Sequence, residues 1–249
     1  MWAEALYGCD AEENRRLAAA VISRQSLHMT DLLCNLLSLP WDCILTTNYS
    51  YEIENALTGG RWSTVKTMRK RSLRCADGKS HRRDNLNIFY EVKTTDNRII
   101  PVWHVHGDYD RHTSMILTYY SYAKQIGGLL DYNKNRSNDL ETAALENRCV
   151  EMKSWLDWYV LGEVYSVGFA FDLSEFDLWW ATERKTREHA PHGTLRFYVE
   201  KERANAPASI MMDSIIDKPI AFPVNGSYES FYRLVLNDIQ ERMRDSEKP

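Results

Sequence analysis

Two short stretches hold the side chains best suited to chemistry. The first is Thr46-Thr47-Asn48-Tyr49-Ser50, which closes the apolar, β-branched run 41–47 and precedes a helical pattern. The amide of Asn48 offers both a donor and an acceptor, enough to hold a ribose hydroxyl or an attacking water. Asn and Ser are also good helix N-caps, so Asn48 and Ser50 have a purely structural use as well. The second stretch is His104-Val105-His106-Gly107-Asp108. Residues two apart share one face of a strand, and a strand-end histidine suits a general base near neutral pH. Gly107 admits close approach of a ligand or of main chain. The bland alternatives are a hydrogen-bonded core histidine or a pair of metal ligands. With no nearby Cys and no third ligand at regular spacing, no metal is expected. A third stretch, Tyr165-Ser166-Val167-Gly168-Phe169, brings backbone N–H groups to a phosphate or ribose, or simply makes a tight turn.

The elements that must position these residues read as alternating helices and strands. Residues 10–38 carry Leu17, Val21, Leu32, Leu33, Leu36 and Leu37 at helical spacings, with Asp10 and Glu13 as a capping pair and Pro40 as a stop. Strand 41–47, helix 50–57 and the stop Gly59-Gly60 form a strand–turn–helix unit. Strands are expected at 87–92 and 98–105, joined at Asp96-Asn97, and at 114–118. A helical region follows from 119, broken by a loop at 133–138. Later come a strand at 163–167, a helix to 187, strands at 194–200 and 219–224, and an amphipathic closing helix 228–244. Trp155, Trp158, Tyr159, Trp179 and Trp180 are spaced for packing on helix faces.

This alternation implies an α/β fold: a Rossmann-like, mainly parallel sheet with helices on both faces, a helical insert and no zinc module. A single domain over residues 1–249 is expected, with a basic loop at 66–83 and a helical insert or lid at 121–160. In such sheets ligands bind beyond the carboxyl ends of the strands, where all three stretches fall.

Composition narrows the class. A chain that is 44% hydrophobic and 27% charged is an ordinary globular protein, and its apolar runs are far too short to span a bilayer. Without a basic N-terminal signal pattern, a cytoplasmic location is the expectation, with no membrane partner. The cysteines Cys9, Cys34, Cys43, Cys75 and Cys149 are widely spaced, with no C-x-x-C pair, and read as plain thiols. Residues 66–83 hold eight Lys/Arg and one acid, leaving 23 basic against 34 acidic residues (−11) elsewhere. That segment is a solvated loop or a nucleic-acid contact, and no aromatic residues interleave its charges.

In this order the motifs resemble the sirtuin-like (Sir2-like) domains of bacterial antiphage-defence proteins. The family's Thr-Thr-Asn-Tyr-Asp and following Ile/Leu-Glu-x-Ala-Leu read here as Thr46-Thr47-Asn48-Tyr49-Ser50 and Ile53-Glu54-Asn55-Ala56-Leu57. Its His-Gly-Asp reads as His106-Gly107-Asp108, followed by Ile116-Leu117-Thr118 and Tyr122. Its late Gly-aromatic turn and acidic helix start read as Gly168-Phe169-Ala170 and Asp177. The resemblance covers about residues 30–185. It implies a pocket for NAD, with Asn48 and His106 cleaving the nicotinamide–ribose bond. Thr46, Thr47, Tyr49, Ser50, Gly107, Asp108, Gly168 and Phe169 would then bind the dinucleotide.

Such cleavage passes through an oxocarbenium-like state with a leaving group that needs no acid. Holding the ribose, placing a nucleophile and taking a proton are then tasks for an amide and an imidazole. The missing four-cysteine zinc module points away from deacylation and towards NAD hydrolysis, with NAD as substrate and no metal. Two departures favour the alternative, a degenerate binding or assembly module without NAD turnover. Ser50 stands where the family has Asp, and residues 1–45 hold no Gly-Ala-Gly phosphate turn, so that turn is expected to be missing from this chain or the pocket incomplete. The partners expected are NAD, a homo-oligomer or a defence-system protein, and nucleic acid through 66–83.

Overall fold

The computed structural model describes residues 11–62, 70–72, 85–146, 151–187, 194–215, 218–224 and 227–246. The Asp10 cap, most of the basic segment 66–83, and Cys9, Cys75 and Cys149 lie outside the described residues. Cys34 and Cys43 are free thiols. The chain divides into two compact units, one of residues 1–128 with 153–155 and one of residues 129–152 with 156–249.

The first unit begins with helix α1 (Ala11–Ile22) and helix α2 (Asp31–Leu37). The expected single helix 10–38 is thus two. The second has its own cap: Thr30 adopts an extended conformation and its side chain accepts from the Leu33 N–H, which starts a new helix. Leu17 and Val21, two of the residues at helical spacing, are exposed. Strand β1 (Ile44–Thr46) leads through the Asn48 turn into helix α3 (Glu52–Leu57).

A four-stranded sheet in the order β1-β4-β3-β2 carries this unit, with β2 (Lys70–Ser72), β3 (Ile88–Lys93) and β4 (Ile99–His104). β1 and β4 run parallel, pairing Thr46 with His104. β3 and β4 form the expected hairpin, with Asn97 at φ 67° in its turn. Both β2–β3 and β3–β4 are antiparallel, so this sheet is mixed rather than mainly parallel. Leu37, Tyr51, Leu57, Tyr90, Ile100 and Val102 form its core against α3.

The expected strand 114–118 is absent. Asp108 caps a 3-10 turn over Tyr109–Ser114 by accepting from the Arg111 N–H, and residues 115–117 follow outside any ladder. Helix α4 (Tyr119–Glu146) then runs unbroken through 133–138, where a loop was expected. Its polar run is held by tertiary partners that override propensity. The Tyr132 hydroxyl donates to both oxygens of buried Asp157 at 2.9 and 2.8 Å, and Arg136 donates to the Glu151 carbonyl.

The second unit contains α5 (Trp155–Leu161, whose first residue groups with the first unit), β5 (Val164–Ser166), α6 (Phe176–Arg187), β6 (Leu195–Glu200), α7 (Pro207–Ile215), β7 (Ile220–Phe222) and α8 (Tyr228–Ser246). β5-β6-β7 form a three-stranded parallel sheet, the arrangement expected of the fold class. Helix α7 is not among the elements expected from the sequence. The C-terminal end of α5 is closed by Lys185 from α6. Its Nζ donates to the carbonyls of Tyr159, Val160 and Gly162 at 3.0, 3.1 and 2.6 Å. The architecture is therefore mixed α/β with two small sheets. Among the described residues no helix is long and apolar enough to cross a membrane.

Candidate active site

The two anchor motifs meet because β1 and β4 are adjacent and parallel, so their carboxyl ends leave the sheet side by side. The ladder extends beyond the strands, where the Val105 N–H donates to the Thr46 carbonyl at 2.9 Å. The turns themselves are then joined, with the Tyr109 N–H donating to the Tyr49 carbonyl at 3.1 Å. The Tyr49 hydroxyl donates to the Ile116 carbonyl at 2.6 Å.

Asn48 sits in this turn as an exposed residue with both main-chain polar atoms occupied. Its N–H donates to Thr46 Oγ1 at 3.1 Å, and its carbonyl lies 2.7 Å from His104 Nδ1. It does not cap α3: the N-cap is Tyr51, which makes no side-chain cap bond. The Ser50 hydroxyl donates to Glu52. Thr46 is buried and Thr47 half-buried.

His106 is 2% exposed, and the Tyr122 ring meets it edge-on at 5.4 Å between centroids. Gly107 has φ +87°, and a Cβ there would lie 2.4 Å from the Ser114 carbonyl oxygen. Only glycine fits this position. Asp108 is fully buried and committed within the protein. Its Oδ1 accepts from the Tyr51 hydroxyl at 2.7 Å and the Arg111 N–H at 3.0 Å, and its Oδ2 accepts from Arg111 Nε at 2.7 Å. Burial by itself would raise its pKa. The Arg111 guanidinium, the Tyr51 hydroxyl and the charge on His104 more than offset this and hold it below the usual carboxylate range.

His104, by contrast, is a saturated core residue. Its Nε2 lies 2.7 Å from Glu54 Oε1, and neither side chain has any exposed surface. Burial would lower its pKa, but the Glu54 carboxylate, followed by the Asn48 carbonyl and Asp108, holds it above its ordinary value. Sequence reasoning assigned no site role to Glu54, Tyr51, Tyr90 or Arg111. The available signal was an acid at position 54 set among the apolar positions Ile53, Ala56 and Leu57 of a short helix.

Gly168 and Phe169 belong to the second unit and are described by themselves. Gly168 has φ +70° at the carboxyl end of β5, and three residues on Phe171 is buried at φ +48°. A non-glycine residue there is strained backbone of the kind found at binding turns. Gly168 and Phe169 line an open cleft of about 470 Å³, counting the space that reaches solvent, with Tyr198, Glu200, Arg203 and Tyr232. The Tyr232 hydroxyl stands over the glycine, 3.2 Å from where a Cβ would be.

No curated protein matches the chain. Residues 42–151, which contain both anchor motifs, match the family model for the SIR2-like domain, and over this stretch the chain is similar to a Sir2-like domain.

Proposed function

We propose that the chain is an NAD glycohydrolase, cleaving NAD to nicotinamide and ADP-ribose, and that it serves as an effector in prokaryotic antiphage defence. Sir2-like domains bind NAD, and the match at 42–151 supports a role connected with that dinucleotide. The observation that carries the reading is the register of β1 and β4, which sets the Asn48 turn beside His106-Gly107 at one edge of the sheet. The Asn48 amide holds the ribose or the attacking water. His106 accepts the proton that the water or a ribose hydroxyl gives up, and nicotinamide leaves as a neutral molecule. The resemblance also assigns Gly168 and Phe169 to dinucleotide binding, and they line a cleft of the second unit.

Incubating the purified chain with NAD and following nicotinamide and ADP-ribose by chromatography tests the proposal. Release that disappears in Asn48→Ala and His106→Ala is expected. Intact NAD in the presence of candidate activators, including phage components, would remove the reading.

A second reading, a binding or assembly module without turnover, has its own support. His106 is buried, both Asp108 oxygens are occupied by protein donors, and Ser50 replaces the family's Asp. It is distinguished by calorimetry with NAD: no heat of binding, with a defined oligomer or partner, favours the module.

A further inference from the structure

The arrangement around residue 48 goes beyond the motif that led to it. The main chain of Asn48 is held on both sides, its N–H by Thr46 Oγ1 and its carbonyl by His104 Nδ1. Thr46 and His104 are register partners across β1 and β4, so one rung of the sheet supplies both grips. A carbonyl only accepts, so His104 Nδ1 must carry a proton. Nε2 then faces Glu54 Oε1 at 2.7 Å, either donating to a carboxylate or accepting from a carboxyl. In both forms the pair keeps one proton between its two facing atoms. The second Glu54 oxygen, Oε2, is buried with no hydrogen-bond partner among the described residues. Leaving a carboxylate so poorly satisfied in a core is costly, and hydrophobic residues of like volume would be as stable or more so. A buried pair of this kind is therefore weakly explained by stability.

We infer that His104 and Glu54 are positioning residues for the proposed reaction: α3 holds the imidazole through Glu54, and the imidazole fixes the main chain of Asn48 so that its amide points outward at a set angle. This rests on the NAD-cleaving reading for its functional consequence, but not for its geometry. Neither residue touches substrate. A rigid ring with a nitrogen on each side spans from helix to turn, and no other side chain presents two such atoms in fixed opposition.

The test compares the double variant His104→Phe/Glu54→Leu with Glu54→Gln in the full chain. The double variant removes both polar groups together, leaves no lone buried charge, and is expected to melt close to the unaltered protein. Its kcat for NAD cleavage should fall at least about tenfold, because a misaimed group costs rate, while KM stays within about threefold. Glu54→Gln keeps a donor against Nε2 and thus the Nδ1–H bond to Asn48, and should recover most of the rate. Hydrogen exchange gives a readout independent of activity. The Asn48 amide should lose protection in the double variant while amides of β3 keep theirs. Unchanged kcat in a folded double variant, or unchanged exchange at Asn48, overturns the inference. If the unaltered chain leaves NAD intact, the hydrolase reading fails by itself, and the exchange experiment alone decides the tether. A double variant that does not fold is replaced by His104→Gln, judged by the same exchange at Asn48.

Discussion

The Tyr51 hydroxyl donates to Asp108 Oδ1 at 2.7 Å across a distance of 57 residues in sequence, joining the start of α3 to the turn that follows β4. The Tyr51 hydroxyl oxygen also lies 2.9 Å from the Tyr90 hydroxyl. Three elements of the first unit therefore share one buried polar cluster. Tyr51→Phe would leave Asp108 Oδ1 with only the Arg111 N–H. A loss of about 1–3 kcal/mol is expected for a buried acceptor deprived of a partner, read from urea denaturation. A change below about 0.5 kcal/mol would place the strength of the cluster elsewhere.

Asp108 also sets an acid limit. Its folded pKa lies below the ordinary 3.8, so it stabilises the fold above that value. That contribution disappears as pH falls through the folded value. His104 has the opposite sign. Its folded pKa lies above 6.5, so its contribution is complete below pH 6.5 and fades as pH rises through the folded value. Denaturation midpoints measured across pH should show a flatter acid limb in Asp108→Asn and a flatter neutral-to-alkaline limb in His104→Phe/Glu54→Leu. Limbs matching the unaltered protein would mean that other groups set these slopes.

Glycines in this chain should respond to alanine with opposite signs. At Gly107, φ is +87° and the added Cβ would strike the Ser114 main chain, so Gly107→Ala should cost at least about 2 kcal/mol. At Gly127 and Gly128, within α4, a Cβ meets nothing within 4 Å. Each should gain about 0.5–1 kcal/mol as alanine. Thermal melts of the single variants check both, and a neutral Gly107→Ala would show that the turn can relax.

Lys185→Met would keep most of the side chain's length while withdrawing its donors from three carbonyls at the end of α5. A loss of about 1–3 kcal/mol in denaturation is expected. Hydrogen exchange should rise first in α5, and protection there equal to that of the unaltered protein would argue against the cap.

The strand–turn–helix frame of the site was legible because its signals are local. The apolar run ending at Thr46, the turn at Asn48, the hairpin at Asp96-Asn97 and the glycine at 107 each announce themselves within a few residues. What was not legible depends on distant partners. Nothing near Asn133 says that Tyr132 and Arg136 find Asp157 and keep α4 helical. Nothing near Asp108 says that Tyr51 and Arg111 will use both its oxygens. Strand alternation would set His104 and His106 on one face, but β4 ends at His104 and His106 lies in the turn beyond it, and their surroundings differ. One is saturated by Glu54 and a carbonyl, whereas the other meets an aromatic edge. Helical spacing found the helix that carries Leu17 and Val21, but periodicity reports which residues share a face and not whether that face is covered, and both are exposed.

Holding residue 48 by its main chain has an evolutionary consequence. The grips on its N–H and carbonyl are blind to the side chain, and that side chain is exposed. Exchanging Asn48 for Asp, Ser or Ala therefore leaves the turn's scaffold in place. Descendants of such a chain can gain, lose or alter reactivity at this one position without first rebuilding the architecture beneath it.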